Sequence, residues 1–230
     1  MGSDDLFHKR KAKAAPQLGR RKPVRATYDK VLIVCEGEKT EPLYFKELVD
    51  YYEIHSANVR VSGECGSDPL SVVNHGIKLY EDERLVESGT FDRVYCVFDR
   101  DAHTNYQAAL DKLAGIKPKT VFFAANSVPC FEYWLLLHFT YTTAPYSAVG
   151  GVSSGAAVLK ELKNYWPEYT KAEAGAFLAS LKISNDGLVY AKENAKRAFI
   201  EAKKNHTDNP STTVHMLVDY LQQIKNSKPQ

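Results

Sequence analysis

The sequence predicts an α/β fold: a parallel sheet flanked by helices, with an added C-terminal helical region. Three observations carry this. Val31-Leu32-Ile33-Val34-Cys35 and Val94-Tyr95-Cys96-Val97-Phe98 are unbroken apolar runs of strand length, as expected of strands covered on both faces. Strand and helix patterns alternate through the first part of the chain, which is how βαβ units with right-handed crossovers read. Beyond residue 152 the strand signals stop and only helical patterns follow.

The elements follow in order. Lys30–Cys35 is the first strand. Gly37 comes next and suits a tight turn, since glycine alone takes positive φ cheaply. A helix then carries Pro42 near its start, where a missing N–H costs little. Leu43, Phe45, Leu48, Val49 and Tyr52 supply its apolar face. Ala57–Ser62 alternates as a second strand. Gly63, Gly66 and Asp68-Pro69 mark a loop and a helix start, and residues 70–82 continue through Leu70, Val73, Ile77 and Tyr80. Arg93–Phe98 is the third strand, Tyr106–Leu113 a helix, and Thr120–Ala125 the fourth strand. Pro129–Phe139 is apolar nearly all round and therefore a buried helix. Pro145, Gly150 and Gly151 punctuate a boundary over 140–152. Helices are then expected at Ala156–Tyr165, Thr170–Leu178, Leu188–Lys204 and Ser211–Lys225, the last entered through the capping run Asn209-Pro210-Ser211-Thr212-Thr213.

This divides the chain into a basic tail (1–28), an α/β unit (29–145) and a helical region packed on it (146–230). The 230 residues carry a net charge of +2, which hides an asymmetry. Residues 1–28 hold eight Lys/Arg against Asp4 and Asp5, leaving 22 Lys/Arg against 26 Asp/Glu for the body. A basic tail on an acidic body suits polyanion binding, and it equally suits a solvated leader. No apolar stretch approaches the roughly 20 residues of a membrane span, and the N-terminus lacks a signal-peptide core. Cys35, Cys65, Cys96 and Cys130 form no Cys-x-x-Cys pair. Neither zinc nor a disulfide framework is indicated, and a reducing cytoplasm fits.

Chemistry concentrates at two strand ends. Glu36-Gly37-Glu38 follows the first strand and Asp99-Arg100-Asp101 the third. In the strand order 2-1-3-4 these two strands are neighbours, and their carboxyl ends flank the switch point where open α/β sheets bind ligands. Carboxylates gathered there repel one another. A hard divalent cation, Mg2+ or Mn2+, offsets that repulsion through oxygen ligands. Asp99 and Asp101 are the candidate ligands, Glu36 a ligand or general base, and Glu38 and Glu132 further ligands. Lys39 and Arg100 are candidates for phosphate contact. Arg20, Arg21 and Lys22 in the tail would contact nucleic acid without sequence preference.

An apolar strand ending in Glu-Gly, then one ending in Asp-x-Asp, resembles the Toprim domain of topoisomerases, bacterial primases and related nucleases. Longer strings narrow the resemblance. Val31-Leu32-Ile33-Val34-Cys35-Glu36-Gly37-Glu38-Lys39-Thr40-Glu41-Pro42, Val97-Phe98-Asp99-Arg100-Asp101, residues 127–139 (Ser-Val-Pro-Cys-Phe-Glu-Tyr-Trp-Leu-Leu-Leu-His-Phe) and Asn209-Pro210-Ser211-Thr212-Thr213-Val214 are similar to the RloB family. The resemblance implies a Toprim fold with added helices, a metal-dependent nuclease acting on RNA (tRNA included) or DNA, and a role in bacterial or archaeal anti-phage defence and abortive infection. It also implies a partner ATPase. A homo-oligomer is open.

Plainer readings stand beside these. An Asp after a strand caps the next helix well. Glu41 suits a helix N-terminus through the dipole alone, and Glu132 suits a hydrogen-bonded anchor. His138 reads as a core histidine with a site role left open, and His103 as a solvated loop residue with a role as an acid or a phosphate contact left open. At the level of function, a non-catalytic metal-binding sensor or scaffold and a primase-like nucleotidyl transferase are the rivals. The chain has no P-loop motif of its own.

Overall fold

The computed structural model describes residues 29–54, 58–66, 68–86, 89–171, 175–185 and 187–226. Their order is β1 (Val31–Cys35), α1 (Thr40–Tyr51), β2 (Val59–Ser62), α2 (Pro69–Arg84), β3 (Arg93–Asp99), α3 (Tyr106–Gly115), β4 (Phe122–Val128), α4 (Phe131–Leu136), α5 (Ser154–Leu162), α6 (Ala176–Ser184), α7 (Leu188–Lys204), β5 (Ser211–Thr212) and α8 (Val214–Asn226). One five-stranded sheet runs β2-β1-β3-β4-β5. Its first four strands are parallel, as the sequence predicts. β5 pairs antiparallel with β4.

The apolar runs behave as strands covered on both faces. Successive side chains alternate sides, so Val31, Ile33 and Cys35 join Tyr95 and Val97 in one core, with Tyr44, Phe45, Trp134, Val158, Ala195 and Leu217 from the helices. Leu32 and Val34 join Val94, Cys96 and Phe98 in the other, with Val72, Val73, Ala109 and Leu113 of α2 and α3. Every residue of β1 is fully buried. At roughly 1.5–3 kcal/mol per buried aliphatic side chain, these strands are the rigid frame on which the loops at their carboxyl ends are mounted.

Several boundaries differ from expectation. β4 runs three residues further than predicted, because the polar residues that seemed to end it are paired. Asn126 Nδ2 donates to Tyr106 Oη at 2.6 Å, its backbone N–H donates to Thr213 Oγ1 at 2.9 Å, and Ser127 Oγ meets Thr212 Oγ1 at 3.1 Å. Those same contacts create β5, so the C-terminal region contributes a strand where only helix was expected. The segment expected as a helix from Thr170 begins as one only at Ala176. Its free N–H groups are held from outside, by Glu47 of α1, which accepts from Gly175, Phe177 and Leu178. α7 matches its expected span. The four cysteines are free thiols, and no described helix is long and apolar enough to cross a membrane.

Candidate active site

The carboxyl ends of β1 and β3 meet through Glu36. Its N–H donates to Val97 O at 2.9 Å, continuing the ladder one residue past β1. Its Oε2 accepts from Asp99 N–H at 3.1 Å. Gly37, at φ +73, then reverses the chain into α1. A side chain at Gly63 would run into the Gly37 carbonyl and stand 2.7 Å from Pro42 Cγ, so the β2 end closes tightly over this turn.

Asp99 ends β3 and is half-buried. Its Oδ2 accepts from Phe131 N–H at 3.0 Å, at the first residue of α4. Glu132, the next residue of α4, is 2% exposed. Its Oε1 accepts from Tyr169 Oη at 3.3 Å and lies 3.1 Å from Lys171 Nζ. Glu41 enters from the first turn of α1. A crevice of about 480 Å3 opens over these groups, lined by residues 36–41, Glu132 and Lys171.

The electrostatics record crowding. Burial, reinforced by the charges of Glu41, Glu132 and Glu36, holds the Asp99 carboxyl well above the usual range, against the opposing Phe131 N–H. Burial, then the charges of Glu132 and Glu36, pushes Glu41 up to about 8, with its own backbone bond and Lys171 opposing. Burial raises Glu36, opposed by the Asp99 N–H and by His103, whose Nε2 stands 3.0 Å from Glu36 Oε1. Burial would lower Lys171, but the Glu132 carboxylate outweighs it and its pKa is raised. Taking charge out of water is expensive, and here several like charges share one enclosure.

The structure therefore brings Glu36, Asp99 and Glu132 together, as expected. Asp101 sits one turn away. It is exposed at φ +31, its N–H donates to Pro129 O at 2.9 Å, and a Cβ at Gly155 would lie 3.9 Å from its Oδ1. Its side chain is thus at the start of α5 rather than in the core of the cluster. Glu38 and Lys39 are exposed on the crevice wall. Arg100 is exposed and ion-paired with Asp208. Arg20, Arg21 and Lys22 lie outside the described residues. Three participants were missed. Glu41, expected only to favour a helix start, belongs to the cluster, and its place five residues after Glu36 was the available signal. His103, expected first in solvent with a role as an acid or a phosphate contact left open, holds Glu36. Lys171 comes from a loop with no motif to mark it.

The donor set is all oxygen and suits a hard cation such as Mg2+. Among the described residues, no group of three or more His, Cys, Asp or Glu is arranged to hold a metal as it stands. The contacts above give the reason: Glu36 is tied to the Asp99 N–H and His103, Asp99 to the Phe131 N–H, and Glu132 to Tyr169 and Lys171. His103 and Lys171 occupy the places of positive charge, so the residues fit a metal by chemistry once those two side chains give way.

A family model described as RloB-like protein matches residues 31–221. No curated protein and no solved structure matches the chain.

Proposed function

This chain belongs to the RloB-like family, and from that premise and its acidic crevice we propose that it is a metal-dependent nuclease acting in anti-phage defence. The observation that carries the proposal is the meeting of Glu36 and Asp99 from adjacent parallel strand ends, with the half-buried Glu41 and the buried Glu132 beside them. Acids at the ends of β1 and β3 also support the Toprim resemblance. Glu36, Asp99, Glu41 and Glu132 would hold Mg2+ or Mn2+. A divalent cation held there would offset charge on phosphoryl oxygens and make a water more acidic.

The chain's own residues supply the rest. Glu36, once His103 has left its 3.0 Å contact, would be placed to accept a proton from a water that attacks phosphorus, while the P–O bond to the leaving oxygen breaks and that oxygen takes a proton from solvent. Lys39, on the rim, and Lys171, displaced from Glu132, meet substrate phosphates as point charges. Asp99, fixed by Phe131 N–H, stays put while the charge above it changes.

The test is cleavage of single-stranded RNA, tRNA and DNA by the full chain with Mg2+ or Mn2+, for wild type, Asp99→Asn and Glu36→Gln, with and without a partner ATPase. Metal-dependent cleavage by the wild type, lost in both variants, is expected. A second reading is favoured by one observation, that His103 and Lys171 already neutralise the crevice. On that reading the chain is a metal-responsive scaffold for a partner ATPase. Absence of cleavage by the wild type under every condition overturns the nuclease in its favour.

A further inference from the structure

A second concavity, of about 470 Å3, lies among α6, α7 and the segment after α4. Its walls are aromatic. The rings of Phe139 and Tyr165 are 5.9 Å apart and nearly parallel at 15°. Tyr141 stands on one side, with the Arg197 guanidinium 4.0 Å over its ring. Tyr190 is 66% exposed and Tyr165 43%. Tyr190, Asn194 and Arg197 recur at helical spacing on α7 and so share one face. Exposed rings with a neighbouring cation form the kind of platform on which flat, electron-rich rings stack.

The polar atoms in this cavity have a consistent sense. His138 is 3% exposed and lines it. Its Nδ1 lies 3.2 Å from Trp134 O. A carbonyl only accepts, so Nδ1 carries the hydrogen and Nε2 is a bare acceptor, and Nε2 is buried with no partner. Burial keeps the ring neutral, pulling its pKa to about 4. Asn194 spends its Nδ2 on Leu137 O at 2.9 Å, which leaves Oδ1 as a second acceptor. A buried acceptor without a donor is an uncommon and costly feature. Two acceptors beside stacked rings ask for a flat ligand that brings two N–H groups.

We propose that this cavity binds an amino-bearing nucleobase, adenine, cytosine or guanine, stacked on Tyr165 and Tyr190, its exocyclic amino group donating to Asn194 Oδ1 and, as the lining opens over the buried ring, to His138 Nε2. An exocyclic amine supplies both donors from one atom, whereas uracil and hypoxanthine lack that amine and offer a single ring N–H on their pairing edge. Arg197 at the rim takes the phosphate that the base carries. The source is either a free nucleotide or a base in single-stranded nucleic acid. The site is separate from the acidic crevice and stands whether or not that crevice cleaves phosphodiesters.

Binding is measured on the full chain in EDTA, by calorimetry or saturation-transfer NMR. The ligands are adenosine, cytidine, guanosine, inosine and uridine, followed by short oligoadenylate and oligouridylate. Adenosine, cytidine and guanosine are expected to bind, with inosine and uridine weaker on the order of ten-fold or more. Tyr165→Ala and Tyr190→Ala, both at exposed rings, should each weaken adenosine binding on the order of ten-fold. Asp99→Asn should leave it unchanged. Oligoadenylate binding tighter than adenosine assigns the site to nucleic acid, and nucleoside binding without oligonucleotide binding assigns it to free nucleotides. Equal binding of adenosine and inosine, no saturable nucleoside binding, or unchanged binding in both tyrosine variants overturns the proposal.

Discussion

Glu41 offers a quantitative handle on the crevice, because its position fixes a pH slope. Its folded-state pKa of about 8 stands above the ordinary value of 4.5. Between those values the folded protein keeps a proton that the unfolded chain has released. The folded state then binds more protons, so stability falls as pH rises, by about 1.4 kcal/mol per pH unit for one such group. The loss begins near the unfolded value and is complete once pH passes the folded one. Across about two pH units inside that window it amounts to roughly 2–3 kcal/mol. Glu41→Gln keeps the shape and removes the proton. Its stability should therefore be flatter over the same window by that amount, while Asp99, raised in the same direction, leaves a residual slope in both proteins. The assay is urea unfolding of the full chain in EDTA, followed by circular dichroism at about pH 5.5 and 7.5. Parallel slopes for wild type and Glu41→Gln would refute the reasoning, since they would mean that Glu41 feels neither the burial nor the neighbours described.

Three further outcomes follow from particular contacts. Asp68 caps α2 by accepting from Leu70 and Ser71 N–H, both at 3.1 Å, so Asp68→Ala should cost ~1–2 kcal/mol in denaturant unfolding. Trp134 is fully buried between α4 and its surroundings, and Trp134→Ala should cost ~3–5 kcal/mol by the same measure. Lys171→Met strands the buried Glu132 carboxylate without its 3.1 Å partner. It should lower Tm in EDTA and lower it less in saturating Mg2+, and equal losses in the two media would count against a cation site.

The sheet was legible because its strands are apolar on both faces, a pattern that no surface helix shares. β1 and β3 fall within a residue of their expected spans, and the two cores follow from their alternation alone. What stayed hidden depended on partners distant in sequence. β5 is two polar residues, Ser211 and Thr212, and is a strand only because Ser127 and Val128 lie beside it. The start of α6 is fixed by Glu47, far away on α1. The site divides the same way. Glu36, Asp99 and Glu132 are marked by strand ends and by an acid inside an apolar string. His103 and Lys171 carry no local sign, because what identifies them is the carboxylate that each one touches.

Asp99 and Glu36 each have a structural task, and the question is whether that task explains a carboxylate. Asp99 Oδ2 receives the Phe131 N–H and Glu36 Oε2 the Asp99 N–H. An amide oxygen accepts such bonds as well: asparagine and aspartate are about equal as helix caps. The chain uses this option nearby, where Asn209 brackets the backbone of Tyr146, accepting from its N–H at 3.2 Å and donating to its carbonyl at 2.7 Å. Asparagine at 99 and glutamine at 36 would keep the fold's hydrogen bonds and abolish the mutual repulsion that raises Asp99, Glu41 and Glu36 together. The net charge therefore exceeds what the architecture requires, at a cost in stability. Local choices that work against the fold cluster where a protein binds or reacts. A small, hard cation is the ligand that converts such repulsion into affinity. If Asp99→Asn and Glu36→Gln each raise stability in EDTA and each abolish Mg2+-induced stabilisation, the acids are there for the metal. If the two substitutions leave the Mg2+ response intact, the charge serves some other purpose and the proposed nuclease loses its physical basis.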